Sequence, residues 1–138
     1  MPVLTVATYL HRPADEGWEV LLLRRNEERG PNRWVPAGGR VERFETALDA
    51  ARREVLEETG LDVLRTLVPL DCRYTFERDG HAFLEEAFAA AAPPGWDPVL
   101  DAVEHDDYCW CPVEEAARRI AWPENRVALA ALTARLQP

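Results

Sequence analysis

Lysine is absent from the 138 residues, so all 16 basic side chains are arginine. Schiff-base chemistry and the phosphate-loop lysine are therefore excluded. Positive charge is scarce overall: 16 basic against 25 acidic residues leave a net charge of −9, with an isoelectric point near 4.8. A protein that grips a nucleic-acid backbone over a broad face carries the opposite sign, so a DNA or RNA duplex is not the expected partner. Acidity does not exclude an anionic small molecule when a metal mediates. Cysteine is limited to Cys72, Cys109 and Cys111. An odd count without paired spacing makes no disulfide framework and fits a reducing compartment. Long apolar runs are also missing. None approaches the roughly 18 residues of a membrane span, and nothing basic precedes the short apolar stretch Val3–Leu10, so no signal peptide is read. The expectation is a soluble, cytoplasmic protein. Hydrophobic usage of 47% and charged usage of 30% are those of a folded chain, and the length predicts a single domain over residues 1–138.

Val3–His11 and Trp18–Arg25 read as strands joined by a Pro/Asp/Gly turn, hence a hairpin. Asn26–Asn32 reads as a loop, and Trp34–Pro36 as a short extended piece before Gly38-Gly39. Glu45–Thr59 has a helical pattern, with Ala47, Leu48, Ala51 and Val55 on one face. Thr46 and Asp49 resemble a capping box, and Gly60 stands where a C-terminal cap belongs. Leu61–Glu77 is strand-like, and Arg78-Asp79-Gly80 turns it into a strand over His81–Ala90. A Pro-rich loop, a strand over Asp106–Val113, a short helix over Pro112–Ile120 and a longer one over Pro123–Leu136 complete the chain. Strands flanking a central helix, with two helices at the end, predict an α/β sandwich with a mixed sheet.

The informative stretch is GGRVERFETALDAARREVLEETGL, Gly38 to Leu61. On a helix, Glu54 falls three residues before Glu57 and four before Glu58, so the three carboxylates share one side. Like charges at this spacing cost a bare helix a few tenths of a kcal/mol per pair. They become favourable around a divalent cation, and hard oxygen ligands suit Mg²⁺ or Mn²⁺ rather than zinc. Such an ion neutralises phosphate oxygens and acidifies water. Gly38-Gly39 lets backbone approach that site, where a main-chain carbonyl is a further ligand. Taken alone, a Glu-rich helix is more often a solvated face, and a Gly-Gly pair a turn.

The joint pattern is different. Gly39, five residues, Glu45, seven residues, then Arg53-Glu54-Val55-Leu56-Glu57-Glu58-Thr59-Gly60-Leu61 resembles the complete signature box of the Nudix family. The resemblance implies a Nudix-like α/β/α sandwich and Mg²⁺- or Mn²⁺-dependent hydrolysis of a nucleoside diphosphate linked to another group. It implies Glu57 and Glu58 as principal metal ligands, with Glu54 a further ligand or the base. It also implies Arg53 as the residue that orients Glu57, Glu42 and Glu45 as supports, and the Gly38 or Gly39 carbonyl as completing the site. Many family members carry glycine where Phe44 stands, which puts the loop's backbone geometry in question.

Outside the box, phosphate compensation must come from arginine. Arg24 and Arg25 end a strand, so one faces the site and the other solvent; Arg33 and Arg73 are further candidates. The segment from Glu104 to Ala116 is similar to that of dihydroneopterin triphosphate diphosphatases and dinucleoside tetraphosphate hydrolases. That likeness carries a metal-binding or general-base role onto Glu104. His105 by itself reads as a loop histidine without a role. Leu70-Asp71-Cys72-Arg73 and Trp122-Pro123-Glu124-Asn125-Arg126 are similar to the dihydroneopterin triphosphate enzymes, which makes Trp122 and Asn125 substrate candidates. Trp34 and Trp96 are alternative stacking surfaces. A zinc site at His105, Cys109 and Cys111 has the wrong spacing.

The expected activity is conversion of a dNTP, NTP or dihydroneopterin triphosphate to a monophosphate and pyrophosphate, with Glu54 or Glu104 as base. A dinucleoside polyphosphate hydrolase is the alternative, weakened because Pro36-Ala37-Gly38 stands where that group often has Pro-Lys-Gly. A catalytically silent nucleotide sensor is the non-enzymatic alternative, though such domains usually lose the glutamates kept here. A homodimer is allowed, since many relatives dimerise.

Overall fold

The computed structural model describes residues 1–31 and 33–137; Asn32, the end of the loop expected over Asn26–Asn32, lies outside them. The elements run β1 (Val3–Pro13), β2 (Trp18–Arg25), a 3₁₀ turn (Glu27–Arg29), β3 (Trp34–Val35), β4 (Ala37–Arg40), α1 (Ala47–Thr59), β5 (Val68–Arg78), β6 (His81–Ala91), β7 (His105–Pro112), α2 (Val113–Arg119) and α3 (Asn125–Leu136).

Both faces of the central strands are covered, which is why β1 and β2 read as nearly continuous apolar runs. Val6 and Leu10 of β1, with Leu21 and Leu23 of β2, pack on the face that also buries Ala50, Ala51 and Val55 of α1. The alternate residues Ala7, Tyr9, Val20 and Leu22 pack against Ala116 of α2 and Leu129 and Leu132 of α3. The result is a mixed seven-stranded sheet between helices, an α/β/α sandwich.

Two features of the sheet position the site. β1 and β2 pair only near their shared turn, at His11–Pro13 with Trp18–Val20, and then diverge. β3 pairs with the far end of β2, and β4 with Thr5–Thr8 of β1, so the two short strands fill the opening. Gly38-Gly39 is thus not a turn but paired strand. Glycine is required at 38, where a Cβ would strike the Val6 carbonyl oxygen; at 39 a Cβ would stand 2.6 Å from the Glu54 carboxyl carbon and displace the end of that side chain. The other feature lies where β2 meets β7. Arg24 pairs with Asp107 but Arg25 with His105, so Asp106 is an extra, bulged residue. Such bulges re-aim side chains beside functional sites.

Helix α1 follows its local cap signals, but its apolar face is shifted from the expected one: Leu48 is 48% exposed, and Ala50 is buried beside Ala51 and Val55. The Thr46 hydroxyl accepts from the Asp49 N–H, and Gly60 takes the left-handed conformation at φ 81°. Two readings need correction. β5 starts at Val68, not Leu61, because Thr66 and Leu67 donate back to the Val63 carbonyl in a turn that buries Val63. Leu70-Asp71 is a second bulge, with Asp71 at φ 53°, which accounts structurally for the Leu70-Asp71-Cys72-Arg73 motif. Asp79 (φ 54°) and Gly80 (φ 79°) form the expected tight turn. Phe44 also adopts a glycine-like φ of 67°, with its ring almost wholly in solvent. No helix among the described residues is long and apolar enough to cross a membrane.

Candidate active site

A cavity of about 580 Å³ opens along the edge where β4, the C-terminal half of α1, the start of β7 and the start of α3 meet. Gly38, Gly39, Glu54, Glu58, Glu104, Arg25, Trp122 and Asn125 all line it.

The acidic wall is built on Arg53. Its guanidinium donates to both oxygens of Glu45 at 2.8 and 3.0 Å, to Glu54 Oε1 at 2.6 Å, to Glu57 Oε2 at 3.3 Å and to the Arg40 carbonyl at 3.0 Å. Five donors in a rigid fork make arginine suited to this hub. The Glu45 carboxylate is held below its ordinary pKa first by the Arg53 hydrogen bonds and then by the Glu42 N–H, and Arg53 is pushed higher in return. Glu42 is more remote, 3.6 Å from Arg53 and mostly exposed.

Glu58 is the buried member, 2% exposed. Burial, then the neighbouring Glu54, drive its carboxyl pKa well up, opposed by a hydrogen bond from the Gly38 N–H. Its Oε2 is buried with no donor among the described residues. Around Glu58 lie Glu104 and His105, and one ligand atom from each of the three falls within 4.8 Å of the others. A buried acceptor without a donor, beside further carboxylates, fits a divalent cation. The bare Cα of Gly39 leaves the room that the Glu54 carboxylate occupies.

His105 corrects an expectation of place. It is not in a loop but opens β7, is 5% exposed, and has Nε2 3.8 Å from Glu58 Oε1. Burial first, then the Arg25 charge, pull its pKa down to about 4, so the ring is neutral at pH 7. No motif pointed to it, because the Asp106 bulge that turns it inward is a property of β2–β7 pairing.

The arginine candidates separate. Arg25 lines the cavity; its side chain has no hydrogen bond or ion pair among the described residues, and Arg29 lies nearby, 4.0 Å from Glu104. Arg24 points away and binds Asp106 at 2.6 Å. Arg33 binds the other Asp106 oxygen at 2.7 Å, and Arg73 is a solvent-exposed partner of Glu86. These three do not line the cavity, because each is drawn to a carboxylate outside it. Glu57 projects outward, 55% exposed, tethered to the Arg53 nitrogen that also holds Glu54. Of the tryptophans, Trp122 lines the cavity, whereas Trp34 and Trp96 pack against the cores. Cys109 and Cys111 lie on β7 beyond the site, as free thiols.

A family model described as NUDIX domain matches residues 1–132. The chain belongs to the NUDIX family. Among curated NUDIX relatives, dihydroneopterin triphosphate diphosphatase of Escherichia coli K12 is 38% identical over 127 residues, covering 84% of this chain and 83% of that protein. A Myxococcus xanthus protein named octanoyltransferase is 38% identical over 96% of this chain, but the match spans only 37% of its length. Among solved NUDIX structures, a binary complex of C. elegans Ap4A hydrolase superposes with a TM-score of 0.83 at 26% identity, covering 97% of both chains. The NUDIX box folds here as the end of strand β4, a loop and helix α1, with Arg53 joining Glu45 to Glu54.

Proposed function

We propose that this NUDIX domain is a divalent-metal-dependent hydrolase. Its substrate would be a nucleoside triphosphate-like molecule (a dNTP, NTP or dihydroneopterin triphosphate), cleaved to a monophosphate and pyrophosphate. The observation that carries the reading is the convergence of Glu54, Glu58 and Glu104 on one cavity that also presents Arg25, unpaired among the described residues. The 38% identity to a dihydroneopterin triphosphate diphosphatase over most of both chains supports it.

Glu54 and Glu58 would hold the cation, with a Gly38 or Gly39 carbonyl as a further oxygen donor and the exposed Glu57, held by Arg53 outside the cavity lining, swinging in when the ion binds. That oxygen-rich set suits Mg²⁺ or Mn²⁺. When bound, the ion neutralises phosphate oxygens and acidifies water. Arg53 keeps Glu54 and Glu57 oriented. Arg25 and Arg29 bind phosphate oxygens, a task for which guanidinium geometry is suited. Glu104 takes the proton of the attacking water. It is 43% exposed with Arg29 4.0 Å away as its one ion-pair partner among the described residues, whereas Glu54 is committed to Arg53. The water oxygen bonds to phosphorus as the bridging P–O bond breaks, and pyrophosphate departs. Trp122 and Asn125 face the substrate's ring. The three free cysteines agree with a reducing, cytoplasmic setting.

The likeness to the C. elegans hydrolase supports a second reading, a dinucleoside polyphosphate substrate. One experiment separates these. Wild type and Glu57→Gln are assayed with Mg²⁺ on triphosphates and a dinucleoside tetraphosphate, and the released phosphates are identified. Pyrophosphate release by wild type alone is expected. Activity surviving excess chelator would remove the metal reading, and wild type as inert as the variant on every substrate would leave a nucleotide sensor.

A further inference from the structure

We propose that the side of the cavity built by β5, β6 and the start of α3 is a subsite for a planar heterocycle whose edge donates hydrogen bonds. The edge in question is the ring N–H and amino group of a 2-amino-4-oxopyrimidine, common to guanine and pterins. Glu85 is its specificity-determining acceptor, and Arg78 with Trp122 its stacking wall. The proposal rests on the hydrolase reading only for the triphosphate attached to that ring.

The wall is a contiguous aromatic and guanidinium surface, already neutralised. The Arg78 guanidinium carbon lies 3.4 Å from the Trp122 ring centroid and 4.4 Å from that of Phe76. Its charge is satisfied by the Glu124 carboxylate. An arginine so paired and stacked is a surface for a ring rather than a phosphate clamp, since planar guanidinium and indole both stack on π faces.

The polar groups on this side call for donors. Glu85 Oε1 accepts from the Thr5 hydroxyl at 3.0 Å; Oε2 accepts from the Tyr74 hydroxyl at 2.6 Å and from Asn125 Nδ2 at 3.3 Å. A carboxylate offers about four acceptor sites, so these three donors lock Glu85 in place and leave one site open on a group that lines the cavity. The same contacts orient the Asn125 amide, 3% exposed, with Oδ1 buried and lacking a donor. Both open functions are acceptors. Guanine and pterins set a ring N–H beside an amino group, whereas adenine offers an acceptor ring nitrogen there.

The test has a binding arm and a turnover arm. Intrinsic fluorescence of metal-free wild type, Glu85→Gln and Trp122→Leu is titrated with neopterin, guanosine and adenosine. Then kcat/KM is measured with Mg²⁺ for dihydroneopterin triphosphate, GTP and ATP. Wild type binds neopterin and guanosine more tightly than adenosine, and the order of those two identifies the natural ring. Glu85→Gln reduces the GTP-to-ATP ratio about tenfold, as expected for one charge-assisted hydrogen bond, while Trp122→Leu weakens all three ligands together. Adenosine binding at parity with guanosine, or an unchanged ratio in Glu85→Gln, overturns the proposal. The wild-type order decides alone should that variant not fold. Absence of any turnover with the nucleoside order intact would overturn the hydrolase reading and leave the subsite standing.

Discussion

Gly39 and Glu54 occupy one another's space: a Cβ at Gly39 would lie 2.6 to 2.7 Å from all three atoms of the Glu54 carboxylate group. The constraint lies in where the end of the Glu54 side chain can stand, not in backbone angle. Gly39→Ala pushes Glu54 off Arg53, and loss of a properly held ligand typically costs about 10–100-fold in activity or metal affinity. Steady-state kinetics with unchanged circular dichroism checks this; full activity in the variant would show that Glu54 is not needed where it stands.

Glu58 is a buried carboxyl kept for something other than stability. Its Oε2 has no donor and its burial raises its pKa. Glu58→Gln is therefore expected to melt no lower than wild type in chelator, yet to be inactive. Mg²⁺ raises the wild-type melting temperature, by the equivalent of about 2.7 kcal/mol at a hundredfold excess over Kd, and leaves the variant unmoved. A thermal-shift titration reads both.

Phe44 holds a left-handed backbone with 97% of its surface exposed. That conformation costs an L-residue about 1–2 kcal/mol, against about 0.5–1 kcal/mol of added chain entropy for glycine. Phe44→Gly should stabilise the fold by up to about 1 kcal/mol in urea unfolding, and Phe44→Ala should not, because it keeps the strain.

The pH dependence of stability has two limbs of opposite sign. Asp62 is held below its ordinary value of 3.8 mainly by the bidentate Arg52 hydrogen bonds at 2.8 and 2.9 Å. Its contribution is complete above that value and lost as pH falls through the lower folded value. Glu85 is raised by burial, so its contribution is complete below about 4.5 and lost as pH rises through the folded value. Melting curves of Asp62→Asn should converge with wild type in acid and fall slightly below it at neutral pH.

What the sequence determined by itself lies within about a dozen consecutive residues. The caps Thr46 and Gly60, the placing of Ala51 and Val55 on the inner side of α1, and the turn at Asp79-Gly80 all depend on periods of two or 3.6 and on neighbours a turn away. Strand alternation likewise said that only one of Arg24 and Arg25 faces the site, without saying which. Tertiary structure decided the rest. β1 runs parallel to β6, pairing Val3–His11 with Phe83–Ala91, and this brings Thr5 to Glu85. The Asp106 bulge selects Arg25 over Arg24 and turns His105 toward Glu58. Glu57 and Glu58 are adjacent in the chain, yet one is solvated and the other buried, because only Glu58 lies against β4. Register and layer packing join residues dozens of positions apart, and no local periodicity records them.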